Sequence, residues 1–97
     1  CITEFNTKRA AGDPVDLCNC DLRNLDLRGL DADGLDLSGC YLRQSDLRGV
    51  DFRKARLEGA SINAAKISGV HFPDELAATE IELSLLHGTR MRYRQDK

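Results

Sequence analysis

Residues 24–39 read NLDLRGLDADGLDLSG, with apolar side chains at Leu27, Ala32 and Leu37 and a second apolar series at Leu25, Leu30 and Leu35. Both series recur every five residues, which is neither the 3.6-residue period of a helix nor the two-residue period of a strand. Let i denote the centre of each five-residue unit. From Leu17 onward the i positions are Leu17, Leu22, Leu27, Ala32, Leu37, Leu42, Leu47, Phe52, Leu57, Ile62, Ile67 and Phe72, and every one is apolar. At i−2 stand Val15, Cys20, Leu25, Leu30, Leu35, Cys40, Ser45, Val50, Ala55, Ala60, Ala65 and Val70, and only Ser45 carries a hydroxyl.

The spacing dictates a geometry. Residues i−2 and i are two apart, so a short extended segment points both to the same side. The next inward residue comes three later, which straight alternation would send outward. A corner must intervene in every unit, around i+1 and i+2. Gly29, Gly34, Gly39, Gly49, Gly59 and Gly69 all occupy i+2, where the residue that turns at least steric cost is expected. A chain that bends the same way every five residues, apolar side inward, winds into a solenoid. Residues 20–37 and 40–57 share nine identities in eighteen, against seven at an offset of fifteen, a slight preference for four sides per coil.

Composition narrows the class. The chain has 97 residues, 41% of them hydrophobic, with no Trp and few aromatics, so its core must be built from small aliphatic groups. Charged residues make up 31% yet nearly cancel, to a net charge of −2, which argues against a polyanion-binding or strongly acidic surface over the whole domain. No apolar run reaches membrane-span length and no signal peptide is visible, so a cytoplasmic protein is expected. The chain begins at Cys1 instead of Met, and a processed form or a fragment of a longer protein is expected. Four cysteines, Cys1, Cys18, Cys20 and Cys40, are too few and too irregular for a disulfide framework, and Cys18-Asn19-Cys20 lacks zinc-site spacing.

The stretch CDLRNLDLRGLDADGLDLSGCYLRQSDLRGVDFRKARLEGA resembles the pentapeptide-repeat family, whose unit is A-(D/N)-L-x-x. The resemblance covers residues 15–72 in twelve consecutive units. It departs from the consensus at i−2, where early units carry Leu, Val or Cys in place of Ala. It implies an all-β solenoid: a right-handed quadrilateral β-helix of about three coils, four pentads to each, roughly 15 Å tall at the usual strand spacing. The segment ELAATEIELSLLHGTRMRYR is similar to the closing segments of cyanobacterial members, in which such domains stand alone or end larger chains, protein kinases among them.

If each coil is twenty residues, residues twenty apart stack. Cys20 then lies beneath Cys40, either as two small buried apolar groups or as a disulfide. Cys18 faces outward and is the more reactive thiol of the set. At i−1 the early units carry Asp16, Asp21, Asp26, Asp31, Asp36, Asp46 and Asp51; at i+1 stand Arg23, Arg28, Arg43, Arg48 and Arg53. In one reading the aspartates cap backbone amides at the bends and the arginines neutralise them. In the other, Arg23 beneath Arg43, beside Arg28 beneath Arg48, forms a basic patch for an acidic or phosphorylated partner. His71 stacks above Asp31 and Asp51 without a second His or Cys, so it reads as a surface residue. No catalytic, cofactor or metal constellation can be assembled.

A solenoid exposes its core at both ends and needs caps. Residues 1–14 break the repeat, close on the turn signal Asp13-Pro14, and offer Ile2 and Phe5 to cover the first coil. The repeat occupies 15–74. Residues 75–97 change period: Thr79 and Glu82 read as a capping box, and Gly88 as the residue that ends a helix over 80–87. On that helix Ile81 and Leu85 share one stripe, while Leu83 and Leu86 fall on nearly the opposite one. The first stripe covers the third coil. The second is a docking surface for another copy or for a parent chain, unless the tail TRMRYR folds over it.

These features predict a non-enzymatic structural or protein-interaction module without cofactor, either alone or as the terminal domain of a larger protein such as a kinase. Its candidate contacts are Arg23, Arg28, Arg43, Arg48, Leu83 and Leu86, with a protein partner or a homodimer through the C-terminal helix. The alternative is a DNA-mimicking gyrase inhibitor, which the family includes. It needs a long acidic rod, whereas residues 15–72 hold nine acidic and eight basic residues.

Overall fold

The computed structural model describes residues 2–12 and 17–95, the side chains of residues 2–5 excepted. The proposed roles of Cys1, Asp13-Pro14, Val15 and Asp16, and of the Ile2 and Phe5 side chains, lie outside the described residues.

Six parallel backbone bridges set the pitch: Asp36 to Arg56, Asp21 to Tyr41, Tyr41 to Ser61, Asp26 to Asp46, Asp46 to Lys66 and Asp51 to His71. Each joins residues twenty apart, so one coil is four pentads. Paired hydrogen bonds carry each rung, as where Tyr41 donates its N–H to the Cys20 carbonyl at 3.0 Å and accepts from the Leu22 N–H at 2.8 Å. Each bridge involves one residue per side, because the chain turns before a second can pair. Among the described residues the coil therefore contains isolated bridges and no continuous strand. The four walls are named here by their central residues. Wall one holds 17, 37 and 57; wall two 22, 42 and 62; wall three 27, 47 and 67; wall four 32, 52 and 72.

Most corners are built in one way. The residue at i+3 donates its N–H to the carbonyl of i, as Val50 does to Leu47 at 3.1 Å. The residue at i+2 takes a left-handed conformation, as a type II turn requires. Glycine supplies it most often, but Asn19, Asn24, Gln44 and even Ala64 adopt it, at φ 58–61°. Lys54 is the exception. Its corner turns without a positive φ, and beside it Gly34 donates to Lys54 at an offset of twenty, where the other corners use nineteen, as Asn24 to Arg43 does. On that wall Asp31 and Asp51 do not bridge to each other, although Asp51 bridges onward to His71.

The inward columns make the core. Leu37, Leu42, Leu47 and Phe52, which make up the second coil, and Leu57 and Ile62 in the third are all essentially sealed from solvent. Ser45, the one hydroxyl in the i−2 series, is buried and donates to the Leu22 carbonyl at 2.6 Å, so its polarity costs little. Cys20 and Cys40 are both free thiols, and burial pushes the Cys40 thiol up. The first coil is less covered. Leu17, Leu22 and Leu30 are half-buried, and Leu25 is 44% exposed, against the inward position expected for it.

Two helices flank the stack. α1 (Ile2–Ala10) lies in the segment expected to serve as a cap and lead-in, where no helix is expected from the sequence. Its Asn6 accepts from the Asp31 N–H and donates to the Gly29 carbonyl, both at 2.9 Å, and Arg9 bonds the Asp31 and Asp33 carbonyls. α1 thus takes the place of a lower rung on wall four. α2 (Ala78–His87) begins two residues before the expected start. Its N-cap is Ala77, and no side chain caps it, so the Thr79–Glu82 box does not form. Gly88 closes it in the left-handed conformation, with its N–H on the Ser84 carbonyl at 2.9 Å. No helix among the described residues is long and apolar enough to cross a membrane.

Candidate functional site

The residues left for function are those at i−1 and i+1, which point outward on all four walls. Where i−1 is aspartate, its Oδ1 accepts the backbone N–H two residues on. The distances are 3.2 Å for Asp21 to Arg23, 3.1 Å for Asp26 to Arg28, 3.2 Å for Asp46 to Arg48 and 2.9 Å for Asp51 to Arg53. The guanidinium of the same arginine then closes on the same carboxylate as a fork. Arg28 places Nε 2.9 Å from Oδ1 and an amino nitrogen 2.7 Å from Oδ2 of Asp26, and the other three pairs repeat this arrangement. Such a two-bond fork is the strongest geometry an arginine makes with a carboxylate.

Electrostatics follow from the pairing. The arginine hydrogen bonds pull the Asp26 and Asp46 carboxyls down from 3.8 to about 2, and Asp51 below the usual range for the same reason. Asp46 also receives Arg28 from the coil beneath at 3.3 Å, so wall three carries a ladder Asp26–Arg28–Asp46–Arg48 across two coils. In the third coil the signs invert, and Arg56 meets Glu58 at 3.4 Å.

Of the four arginines singled out as a basic patch, Arg23, Arg28 and Arg48 are thus neutralised within their own pentads. Arg43 is not. Its pentad holds Tyr41 where the others hold aspartate, and its guanidinium has no ion-pair or hydrogen-bond partner among the described residues. Nothing in the spacing distinguishes Arg43; the substitution at i−1 does.

The C-terminal tail, which the sequence offered as a cover for the second helix stripe, instead makes contacts with the coils. Arg90 donates to the Gly39 and Gly59 carbonyls at 3.2 and 2.8 Å, bonds the Tyr41 hydroxyl, and lies 4.7 Å from the centre of its ring. Met91 is sealed against the core, its N–H on the Ala60 carbonyl at 2.9 Å. The Tyr93 hydroxyl accepts the Leu57 N–H at 2.8 Å. The run Arg90-Met91-Arg92-Tyr93-Arg94 alternates with period two, a signal that could have marked it as a half-buried segment. On α2, Ile81 and Leu85 pack on the core, while Leu83 and Leu86 are 41% and 62% exposed. The tail runs along the third coil and leaves that stripe open.

A cavity of about 380 Å³ lies between the tail and the start of α2, lined by Glu58, Thr79, Glu80, Arg92 and Tyr93 among others. Its main charges are spent, since Arg92 bonds Glu80 at 2.9 Å through its guanidinium and 3.0 Å through its backbone N–H. Among the described residues no group of three His, Cys, Asp or Glu side chains is placed to hold a metal.

The model of pentapeptide repeats matches residues 15–49 and 36–72, with eight copies. The chain belongs to the pentapeptide-repeat family. The match spans the twenty-residue coils and stops where the tail changes period. No curated protein and no solved structure matches the chain.

Proposed function

We propose that this pentapeptide-repeat chain is a right-handed quadrilateral β-helix serving as a non-catalytic structural or protein-interaction module, in the cytoplasm, alone or at the end of a larger protein such as a kinase. One observation carries the reading. Inward side chains are consumed by the core and most wall charges by their own pentads, so what remains is a rigid surface on which few groups are unspent. The contacts assigned to a partner are on the walls of Arg23, Arg28, Arg43 and Arg48, facing an acidic protein, with Arg43 the free guanidinium among the described residues and the other three already holding Asp21, Asp26 and Asp46. Leu83 and Leu86 on α2 are assigned to a second copy of the chain, since like stripes meeting across a two-fold axis are self-complementary.

The gyrase-inhibitor alternative finds little support in the walls. A duplex mimic needs an unbroken negative array, whereas here an arginine sits on each aspartate of the second and third walls, Asp21, Asp26 and Asp46. The test immobilises the domain and its Arg43→Glu/Arg48→Glu variant on matched resins and compares the proteins each retains. A set held by the native chain and lost by a folded variant is expected; identical retention overturns the basic-patch assignment.

A further inference from the structure

Four pentads of this chain already show how a carboxylate is held on the walls. The backbone N–H of the i+1 arginine and its Nε share Oδ1, and a terminal amino nitrogen takes Oδ2. Of the five pentads with arginine at i+1, only Tyr41-Leu42-Arg43 lacks the carboxylate. Its backbone is otherwise the same. Tyr41 bridges to both Asp21 and Ser61, Ser45 closes the corner on the Leu42 carbonyl at 3.1 Å, and Gln44 is left-handed at φ 60°. The Arg43 N–H therefore points where its four counterparts point, at a site the chain itself does not fill.

The surroundings favour an external anion there. Wall two carries one acid, Asp21, already held by Arg23 at 2.7 Å, and above it stand the neutral Ser61 and Asn63. Arg90 adds a second guanidinium over the Tyr41 ring and has no carboxylate partner among the described residues. Tyr41 itself is 43% exposed, so the position is open from solvent.

We propose that the Tyr41–Arg43 pentad is a receptor for a carboxylate side chain of an acidic partner peptide, which takes the place that aspartate occupies in the sister pentads. The proposal rests on the interaction-module reading and names the one wall position where it operates. The chemistry is that of a carboxylate, because the donor set is the planar fork plus amide that the chain closes on its own aspartates. Arg90 supplies further charge, and the Tyr41 hydroxyl and ring give the peptide a flat edge to lie against.

The test uses the chain's own logic. Tyr41→Asp restores the aspartate of the repeat, so Arg43 closes on an internal carboxylate and the receptor fills itself. The ¹⁵N-labelled protein is titrated with an acetylated, amidated pentaglutamate peptide, with pentaglutamine as the neutral control. We expect saturable shifts of the Arg43 amide and Nε resonances, with the amides of Arg23, Arg28, Arg48 and Arg53 moving far less. Tyr41→Asp should weaken binding by about tenfold or more, the scale of a lost charge-assisted pair, while its spectrum stays dispersed. Arg43→Gln should do the same. Equal affinity of Tyr41→Asp and native protein overturns the receptor. Shifts confined to Arg28 and Arg48 overturn it too but leave the wider module reading standing. No shift at any wall residue overturns the receptor together with the acidic-partner assignment.

Discussion

At the C-terminal end of the stack, Ile62 and Ala64 give their N–H groups to the Ser84 hydroxyl and the Leu85 carbonyl of α2, while Gly59, Ala60 and Leu57 are closed by Met91 and Tyr93. At the other end, the contacts of α1 seen among the described residues are with the wall-four edge, through Asn6 and Arg9 on Gly29, Asp31 and Asp33. The first arrangement is largely buried and involves two walls; the second is exposed and involves one corner. Backbone donors hidden from water must find a partner, and those facing water need not, so the two ends are closed to different standards. The consequence is visible in the side chains. Ile62 is sealed in the third coil, while Leu22 beneath it is half-buried in the first.

The largest effect expected is in the coil that both ends protect. Leu47 is completely buried between Leu27 and Ile67, and Leu47→Ala should cost roughly 2–5 kcal/mol. Leu22→Ala, at the less covered end, should cost clearly less. Urea denaturation of both variants measures the difference. An unchanged midpoint for Leu47→Ala would sink the stacked-core description, and equal losses would mean that the two ends shield the core alike.

A smaller effect separates the caps directly. Ser84→Ala removes the buried acceptor of the Ile62 N–H, 3.0 Å away, and should cost about 1–3 kcal/mol because that donor cannot reach water. Asn6→Ala removes two bonds of similar length at an exposed site, where water replaces them, and should cost under about 1 kcal/mol. Two bonds lost for less than one would make burial, not bond count, the quantity that matters. The reverse order in melting would refute that.

How far this contrast was legible depends on what kind of signal each feature leaves. The five-residue period names Leu27, Leu47 and Ile67 as one column because every unit repeats the same constraint. Glycine at i+2 marks the corners for the same reason. Lys54 leaves no such mark, since the shift it introduces is a matter of one backbone angle. Leu25 reads as inward by position, yet its exposure depends on what lies beneath the first coil. The i−1/i+1 pattern offered two readings of the arginines. Only the distances show that Arg23, Arg28 and Arg48 close on their own aspartates, leaving Arg43 as the odd one. The Thr79–Glu82 box misled because the helix starts at Ala78 with Ala77 as its N-cap, which puts Thr79 inside the first turn instead of at the cap. Helix α1 carries a weak apolar periodicity, and the hydrogen bonds of Asn6 and Arg9 to the coil are to backbone, which no side-chain pattern announces.

Acid should reveal how the first coil is held to the second. Asp46 links Arg28 in one coil to Arg48 in the next, and its carboxyl titrates at about 2 against an ordinary 3.8. A carboxyl held below its unfolded value stabilises the fold above that value, and the contribution fades as pH falls through the folded one. Stability should therefore be level above about pH 5 and decline between about pH 4 and 2. Asp46→Asn should flatten part of that decline. A native curve that falls instead between pH 5 and 7 would contradict the assignment.

The smallest effect concerns which end meets another copy. Each end exposes a leucine, Leu25 at 44% and Leu86 at 62%, but only the C-terminal end has a second one, Leu83, on the same helix. Stable interfaces bury about 1,200–2,000 Å² in total, far more than two leucines on each side can supply, so any self-association through α2 is weak. Sedimentation velocity of the native chain should show an average coefficient that rises with concentration. Leu86→Glu should remove that rise, and Leu25→Glu should leave it. A native chain that stays strictly monomeric at the highest concentration reached would withdraw Leu83 and Leu86 as a contact. Equal sensitivity to both substitutions would instead place the contact on exposed leucines in general, because an interface through one end has no reason to respond to a charge at the other.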